Sequence, residues 1–485
     1  MKAIIRRTLT ILLAAMMLCT FACTQTADVI DDGTTSAGTT EPEATTAVGS
    51  LPDNLDFGGK KVTWFVRSDP PSPEYSVEEQ TGDIVDDAIF SRNSEVCSRL
   101  NVEFEFYGIP GAWADRENFN QTIRASILAN DAAYDILAGY SMCVASISTS
   151  GLLRDLAATE YIDLERPWWS DSLMEQSSVN GKLYFASGDI STNLLYQMYC
   201  VYFNKGMIED YGLENPYELV EGNKWTIEKM FEMSEGVYND LDGDGKKSIG
   251  DRFGTAVPYI TSDAFFFSAG MNTTEIIDGV PRVSSDFTSE KVQDLLTFLC
   301  GQLHGSQDNY PEPEGEQSKF TFSYGNTLFG VQTLQMAKSK LRDVTFGYGI
   351  LPMPKYDESQ ADYYTITGFP YSLYSIPIDA PDEDMSSAVL EALASVSYRE
   401  VSPALFEVAM KVKYTTDDDS ARMFDIIRDT IMFDFGRVFT DNLESLTFNM
   451  FRDSVRDDNT NWASTYEAKK SRLESLLSDV ISSFE

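Results

Sequence analysis

KKVTWFVR, Lys60 to Arg67, is the stretch from which the fold can be read. Its apolar and β-branched run reads as a strand buried in a sheet. From Asp83 the spacing changes, and Ile84, Ala88, Ile89, Val96 and Leu100 fall on one face of a helix. NVEFEFYG (Asn101 to Gly108) then alternates Val102, Phe104 and Phe106, the period of a second strand. Glu117 to Asn130 returns to helical spacing at Phe119, Ile123 and Ile127, and YDILAGY (Tyr134 to Tyr140) is a third short strand. Strand, helix, strand, helix, strand predicts right-handed βαβ units feeding a parallel sheet. Such sheets bind ligands at the carboxyl ends of their strands, which draws attention to Arg67, Ser68 and Asp69, and to Tyr140 and Ser141.

The rest of the chain fits a large α/β body. Its 485 residues are 43% hydrophobic, enough apolar material for sizeable cores. The formal net charge is −39, which repels nucleic acid and anionic membrane surfaces. Cys97, Cys143, Cys200 and Cys300 are widely spaced, with no CxxC pair, and are expected as free buried thiols.

The N-terminus has a different character. MKAIIRRTLTILLAAMMLCTFAC opens with Lys2, Arg6 and Arg7 and continues with an apolar run from about Leu9 to Leu18. That run falls short of the ~20 residues that span a bilayer and has the form of a secretory signal. TFAC resembles the lipobox of bacterial lipoproteins, which implies cleavage after residue 22 and lipidation of Cys23. Residues 23–54 are rich in Thr, Ala, Gly and Ser and read as a flexible tether. Loss of the leader would leave a charge of about −42.

Further along, several segments in a fixed order carry a family resemblance: NDAAYDILAGY (130–140), SGLLRDL (150–156), NGKLYFASGD (180–189) with VYFNKGMIEDYGL (201–213), and KWTIEKMFEMSEG (224–236). FSYGNTLFGVQTL (322–334) and FGYGILPMPKYD (346–357) complete the series. Together they resemble the extracellular solute-binding proteins of ABC importers, the group that includes maltose-binding protein. The resemblance implies a periplasmic-binding-protein-like α/β fold with two lobes, a hinge and a ligand cleft between them. It implies a first lobe of residues 55–180 plus 362–410 and a second of 181–361 plus 411–485. It also implies a monomer, lipid-anchored at the extracellular face of the bacterial membrane, that captures a carbohydrate, an oligosaccharide by preference, for an ABC permease. A polysaccharide-acting hydrolase with paired carboxylates, and a peptide or other nutrient receptor of the same fold, stand as alternatives.

Sugars present hydroxyl edges and weakly apolar faces, so a sugar site calls for aromatic platforms ringed by carboxylates, amides or arginine. Position selects Tyr140, at a strand end, Arg67 and Asp69 after the first strand, and Asp189 beyond the crossing. Tyr259 falls where the resembling family carries a ligand-facing aromatic, and Trp462 lies in the polar stretch DNTNWAST.

NDLDGDGKKSIGD (239–251) has the spacing of a calcium loop. Asp240, Asp242 and Asp244 stand at positions one, three and five, with Gly245 at the sharp turn. Lys246 would offer its carbonyl, and Ser248 and Asp251 occupy positions nine and twelve. The loop joins a helix to a strand, so a structural Ca2+ is expected there. The single histidine, His304, reads as a capping residue at a helix end. No G-x-S-x-G turn, H-E-x-x-H pair, P-loop or dinucleotide fingerprint is present, so the sequence favours a binder over an enzyme.

Overall fold

The computed structural model describes residues 49, 51–315, 319–413 and 418–484. The leader at 1–22 and Cys23 lie outside the described residues, as does the tether as far as residue 48. Composition extends the tether to residue 54, but Leu51 is already buried and its carbonyl accepts from Arg99 Nη2 at 3.2 Å. The order of the body therefore begins earlier than composition suggests.

β1 (Lys60–Arg67) lies inside a four-stranded sheet. It runs parallel to β2 (Val102–Ile109) on one side and β3 (Ile136–Tyr140) on the other. The helices α1 (Ile84–Leu100) and α2 (Arg116–Ala129) make the two connections. Asp83 caps α1 by accepting from Val85 N and Asp86 N, and Asn101 ends it in the left-handed region. The buried face of α1 is Val85, Ile89, Arg92, Val96 and Leu100, while Ile84 is exposed. Ile89, Val96 and Leu100 are thus buried as expected, while Val85 and Arg92 join them in place of exposed Ile84 and half-buried Ala88. The fourth strand, Ser372–Ser375, arrives from far down the chain and pairs antiparallel with β3.

The second sheet contains β4 (Tyr199–Asn204), β5 (Phe253–Pro258), β6 (Asn309–Glu312), β7 (Thr327–Thr333) and β8 (Tyr348–Leu351). Their spatial order is β8-β4-β7-β5-β6. β5, β6 and β7 are mutually parallel, and β4 runs against β7, so Tyr199 at the start of β4 lies beside the end of β7. β8 and β4 pair through the two most recognisable stretches of the sequence, with Gly349 opposite Phe203 and Ile350 opposite Tyr202. Asn204 then caps the helix Lys205–Tyr211, and Gly212 closes it at φ +61°.

The chain leaves the first lobe later than residue 180. Ala186 still bridges Tyr374, and Ser187 Oγ donates to Ser372 O, so the expected boundary at 181 falls inside the first lobe. The crossing comes at Gln197–Tyr199, where Met198 bridges Thr367 antiparallel and Gly368 N donates to Gln197 O at 2.7 Å. Two opposed strands thus form the crossing. The C-terminal region serves both lobes. Helix Trp462–Ser482 packs on helix Glu290–Cys300, whereas the short helix Phe435–Val438 touches α3 (Ser141–Ser148) of the first lobe. Asp434 anchors that short helix, because its buried carboxylate accepts from the backbone of Thr273, Thr274 and Arg437. Cys97, Cys143, Cys200 and Cys300 are all unpaired.

Gly349 allows β8 to sit close to its neighbours. A Cβ there would come within 2.2 Å of the Tyr217 hydroxyl and 2.3 Å of the Phe203 ring. Gly349→Ala is expected to cost ~1–3 kcal/mol of stability by overpacking. A denaturant midpoint equal to that of the parent would refute the close approach.

Candidate functional site

The carboxyl ends of both sheets open on one cleft of about 670 Å³ at the crossing. From the first lobe, Pro71 follows β1, Trp113 follows β2, and Tyr140 and Met142 stand where β3 meets α3. From the second, Tyr259 follows β5, Glu314 follows β6, and Gln332, Thr333 and Gln335 lie at the end of β7. Gln197, Tyr199 and Phe369 come from the crossing itself, and Phe448, Asn449 and Arg452 from helix Leu446–Arg456.

No protein-family model and no curated protein sequence matches the chain. Solved structures do. The binding protein for cyclic α-maltosyl-1,6-maltose from Arthrobacter globiformis superposes with a TM-score of 0.57 at 14% identity, over 87% of this chain and 99% of that one. A maltose-binding periplasmic protein from Listeria monocytogenes, in complex with maltose, gives 0.56 at 12% identity, over 86% and 98%. The galacto-N-biose/lacto-N-biose I-binding protein of a Bifidobacterium longum ABC transporter gives 0.53 at 10% identity, over 88% and 96%.

The chain has the periplasmic-binding-protein fold.

In this fold the inter-lobe cleft is the candidate site, and the local sequence explains how its walls are held. Asp69 accepts from Gly111 N at 3.0 Å and Ala112 N at 3.2 Å, which fixes the loop carrying Trp113. A Cβ at Gly111 would lie 2.8 Å from the Phe119 ring and 3.0 Å from Arg67 Cβ, so only glycine fits. Despite desolvation, the Gly111 N–H, the Arg67 charge and the Ala112 N–H hold the Asp69 carboxyl below its ordinary value. Arg67 Nη2 donates to Asp69 O at 2.8 Å, and its guanidinium lies 5.2 Å from the Tyr140 ring centroid. Arg67 and Asp69 therefore do not line the cleft. They buttress Tyr140 and the Trp113 loop, which do.

Tyr140 and Tyr259 both face the cleft. Burial pushes the Tyr140 phenol far above its ordinary value. The Tyr259 hydroxyl donates to Asp453 Oδ1 at 2.7 Å, and Arg456 stacks 5.1 Å from its ring centroid. The ring is thereby held by two groups on helix Leu446–Arg456.

Asp189 and Trp462 are corrections. Asp189 lines a separate cavity with Trp169, Tyr398 and Arg428, where Ser402 Oγ donates to it. Burial pushes its carboxyl up to about 6. Trp462 is 2% exposed, donates from Nε1 to Phe287 O at 2.9 Å, and packs edge-on against Phe287. It belongs to the core beneath helix Trp462–Ser482, because its polar flanks cap that helix and leave the indole pointing inward. His304 is also placed differently from the reading as a cap. Its Nε2 lies 2.7 Å from Val455 O, so it ties two helices together.

The lining residues that sequence reasoning missed are mostly amides, aromatics and one arginine. Gln197 Nε2 donates to Gln335 Oε1, and Gln335 Nε2 donates to Pro71 O at 2.9 Å. This chain links the crossing, the second lobe and the first. Asp263, fully buried, accepts from Arg437 and, at 2.7 Å, from Arg452 Nε. Arg437 Nη2 also donates to Thr367 O at the crossing. Among the described lining residues Glu314 is the one carboxylate.

The 239–251 loop is built as a turn around its own carboxylates. Asp240, Asp242 and Asp244 each bring an oxygen within 4.8 Å of the others. Asp240 accepts from Gly243 N and Gly245 N, with both glycines at positive φ. Against the Asp244 N–H, desolvation and the charges of Asp244, Asp251 and Asp240 push the Asp242 carboxyl up. Asp251 instead caps the loop, accepting from Leu241 N and Ser248 N. Lys247 Nζ fastens the loop to Ser306 O and Asn309 O, both at 2.8 Å. The loop precedes β5, as expected, but a bridge between Asn239 and Arg252 frames it and no helix enters it directly.

Removing Asp263 would leave two buried guanidinium groups without their shared counter-charge. Asp263→Ala is expected to destabilise the fold by ~3–5 kcal/mol. Chemical denaturation checks it, and a loss below ~1 kcal/mol would contradict the arrangement.

Proposed function

We propose that this protein captures a carbohydrate between its two lobes and hands it to an ABC permease. The observation that carries the reading is the lining of the cleft. Trp113, Tyr140, Tyr199, Tyr259, Phe369 and Phe448 supply apolar faces, and Gln197, Gln332, Gln335 and Asn449 supply donors and acceptors around them. Aromatic platforms with convergent amides suit a sugar, which has apolar faces and a polar rim. The sugar-binding proteins that share the fold support the same reading.

Capture follows from hinge motion about the opposed strands at Met198 and Thr367. Contacts to both walls favour the closed form, because only that form satisfies them together. Binding is favoured over hydrolysis, since a glycoside-cleaving site needs two carboxylates flanking the bond and Glu314 stands without a second among the described lining residues. In this reading Cys23 carries a lipid anchor, and the body works as a monomer at the extracellular face of the membrane. No described helix is long and apolar enough to cross a membrane.

The 239–251 loop is read as a structural calcium site. Asp240, Asp242 and Asp244 would hold the ion, joined by the Lys246 carbonyl, while Asp251 and Ser248 close the loop around it. Its place between the helix Ile227–Met233 and β5 makes it a clamp on the second lobe.

A thermal-shift screen of the body from Leu51 against mono- and oligosaccharides tests the function. One glycan class should raise Tm by several degrees and be recovered uncut. Trp113→Ala should weaken that glycan about tenfold or more. No response to any sugar, or a cleaved sugar, would remove the proposal. For the loop, Asp244→Ala should lower Tm in calcium and leave Tm unchanged in chelator. Identical melting of both proteins in both buffers would dismiss the ion.

A further inference from the structure

Among the described lining residues Arg452 is the one whose charge the fold does not fully consume. It is 5% exposed, yet it lines the cleft. Its Nε is taken by Asp263, but Asp263 also neutralises Arg437. Two guanidinium groups therefore share one carboxylate. Arg452 Nη2 is buried with no hydrogen-bond partner among the described residues. The rings of Phe448 and Phe369 flank the guanidinium, their centroids 4.5 and 5.7 Å away, so its faces are covered by apolar groups. The neighbouring charges on the same helix and at the end of β6 are already paired. Glu314 meets Arg456 at 3.3 Å, and Arg456 also meets Asp453 and Asp457. Arg67, behind Tyr140, is matched by Asp69.

An unmet N–H of a buried cation is costly to leave, and a neutral hydroxyl corrects only half of the deficit. A sugar oxygen would satisfy the hydrogen bond and leave the excess charge. An anionic oxygen would answer both, with the stronger, charge-assisted bond. Resting on the carbohydrate reading above, we infer that the cargo bears an acidic group seated on Arg452, of the kind found in a uronic acid carboxylate or a sugar sulfate. With a formal charge of −39 on the whole chain, a half-satisfied guanidinium at this point of the cleft is a local feature and not a property of the surface at large.

The test uses the same body and matched oligosaccharide sets on glucose, galactose and mannose backbones. Each set contains the neutral sugar, its uronate, the uronate methyl ester and the 6-sulfate. Calorimetry is expected to find at least one acidic member bound tenfold or more tighter than its neutral and esterified counterparts, which share its sugar backbone. The uronate and sulfate arms identify which acid is the natural one, and a preference for either supports the seat. Arg452→Gln should bring acidic and neutral members to similar affinity, and Arg452→Lys should keep part of the preference. If Arg452→Gln does not fold, the acid-to-ester ratio of the parent decides alone. Neutral sugars binding as well as acidic ones would overturn this inference and leave the carbohydrate reading intact. No binding by any member would overturn both.

Discussion

Asp263 sits fully buried at the end of the β5 connection and accepts from two arginines that arrive from the C-terminal region. One of them, Arg437, passes the constraint to the Thr367 carbonyl at the crossing. The other, Arg452, carries it to the cleft wall. A buried carboxylate of this kind adds little net stability over an apolar replacement of the same shape, but it fixes geometry, since misplacing either arginine leaves a charge unmatched in a dry setting. Crossing, cleft wall and the helices Phe435–Val438 and Leu446–Arg456 are thereby held to one arrangement.

The parts of the fold that are legible in the sequence are those decided by local period or by neighbouring strands. KKVTWFVR, NVEFEFYG and YDILAGY become three adjacent strands of one sheet. VYFN and YGIL are read as separate motifs and prove to be paired edge to edge. Lys355 and Trp225, from two further motifs, exchange a backbone hydrogen bond, and the Trp225 indole donates to Pro352 O at 3.0 Å. Each of those segments is the packing surface of the other.

The cleft was less legible, for a physical reason. Tyr140 and Tyr259 can be placed because each directly follows a strand of a parallel sheet. Arg452 and Phe448 reach the cleft on a helix almost two hundred residues beyond β5 in sequence, and no local signal announces where that helix docks. Trp462 fails in the opposite direction. Its polar neighbours are cap residues of a helix, and a capped first turn can still turn its indole into the core. The sequence places Asp189 beyond the crossing, yet the chain bridges back to Tyr374 before it crosses, so the residue faces another cavity.

Trp113 stands apart from the other five tryptophans. Trp64, Trp168, Trp169, Trp225 and Trp462 are each 3% exposed or less, whereas Trp113 is 47% exposed on the cleft lip with Arg116 stacked 4.0 Å from its ring centroid. An indole so exposed emits to the red of indoles in apolar surroundings, so its contribution would separate from that of the other five. The molecule carries a built-in optical reporter of whether its cleft is filled, readable without any label.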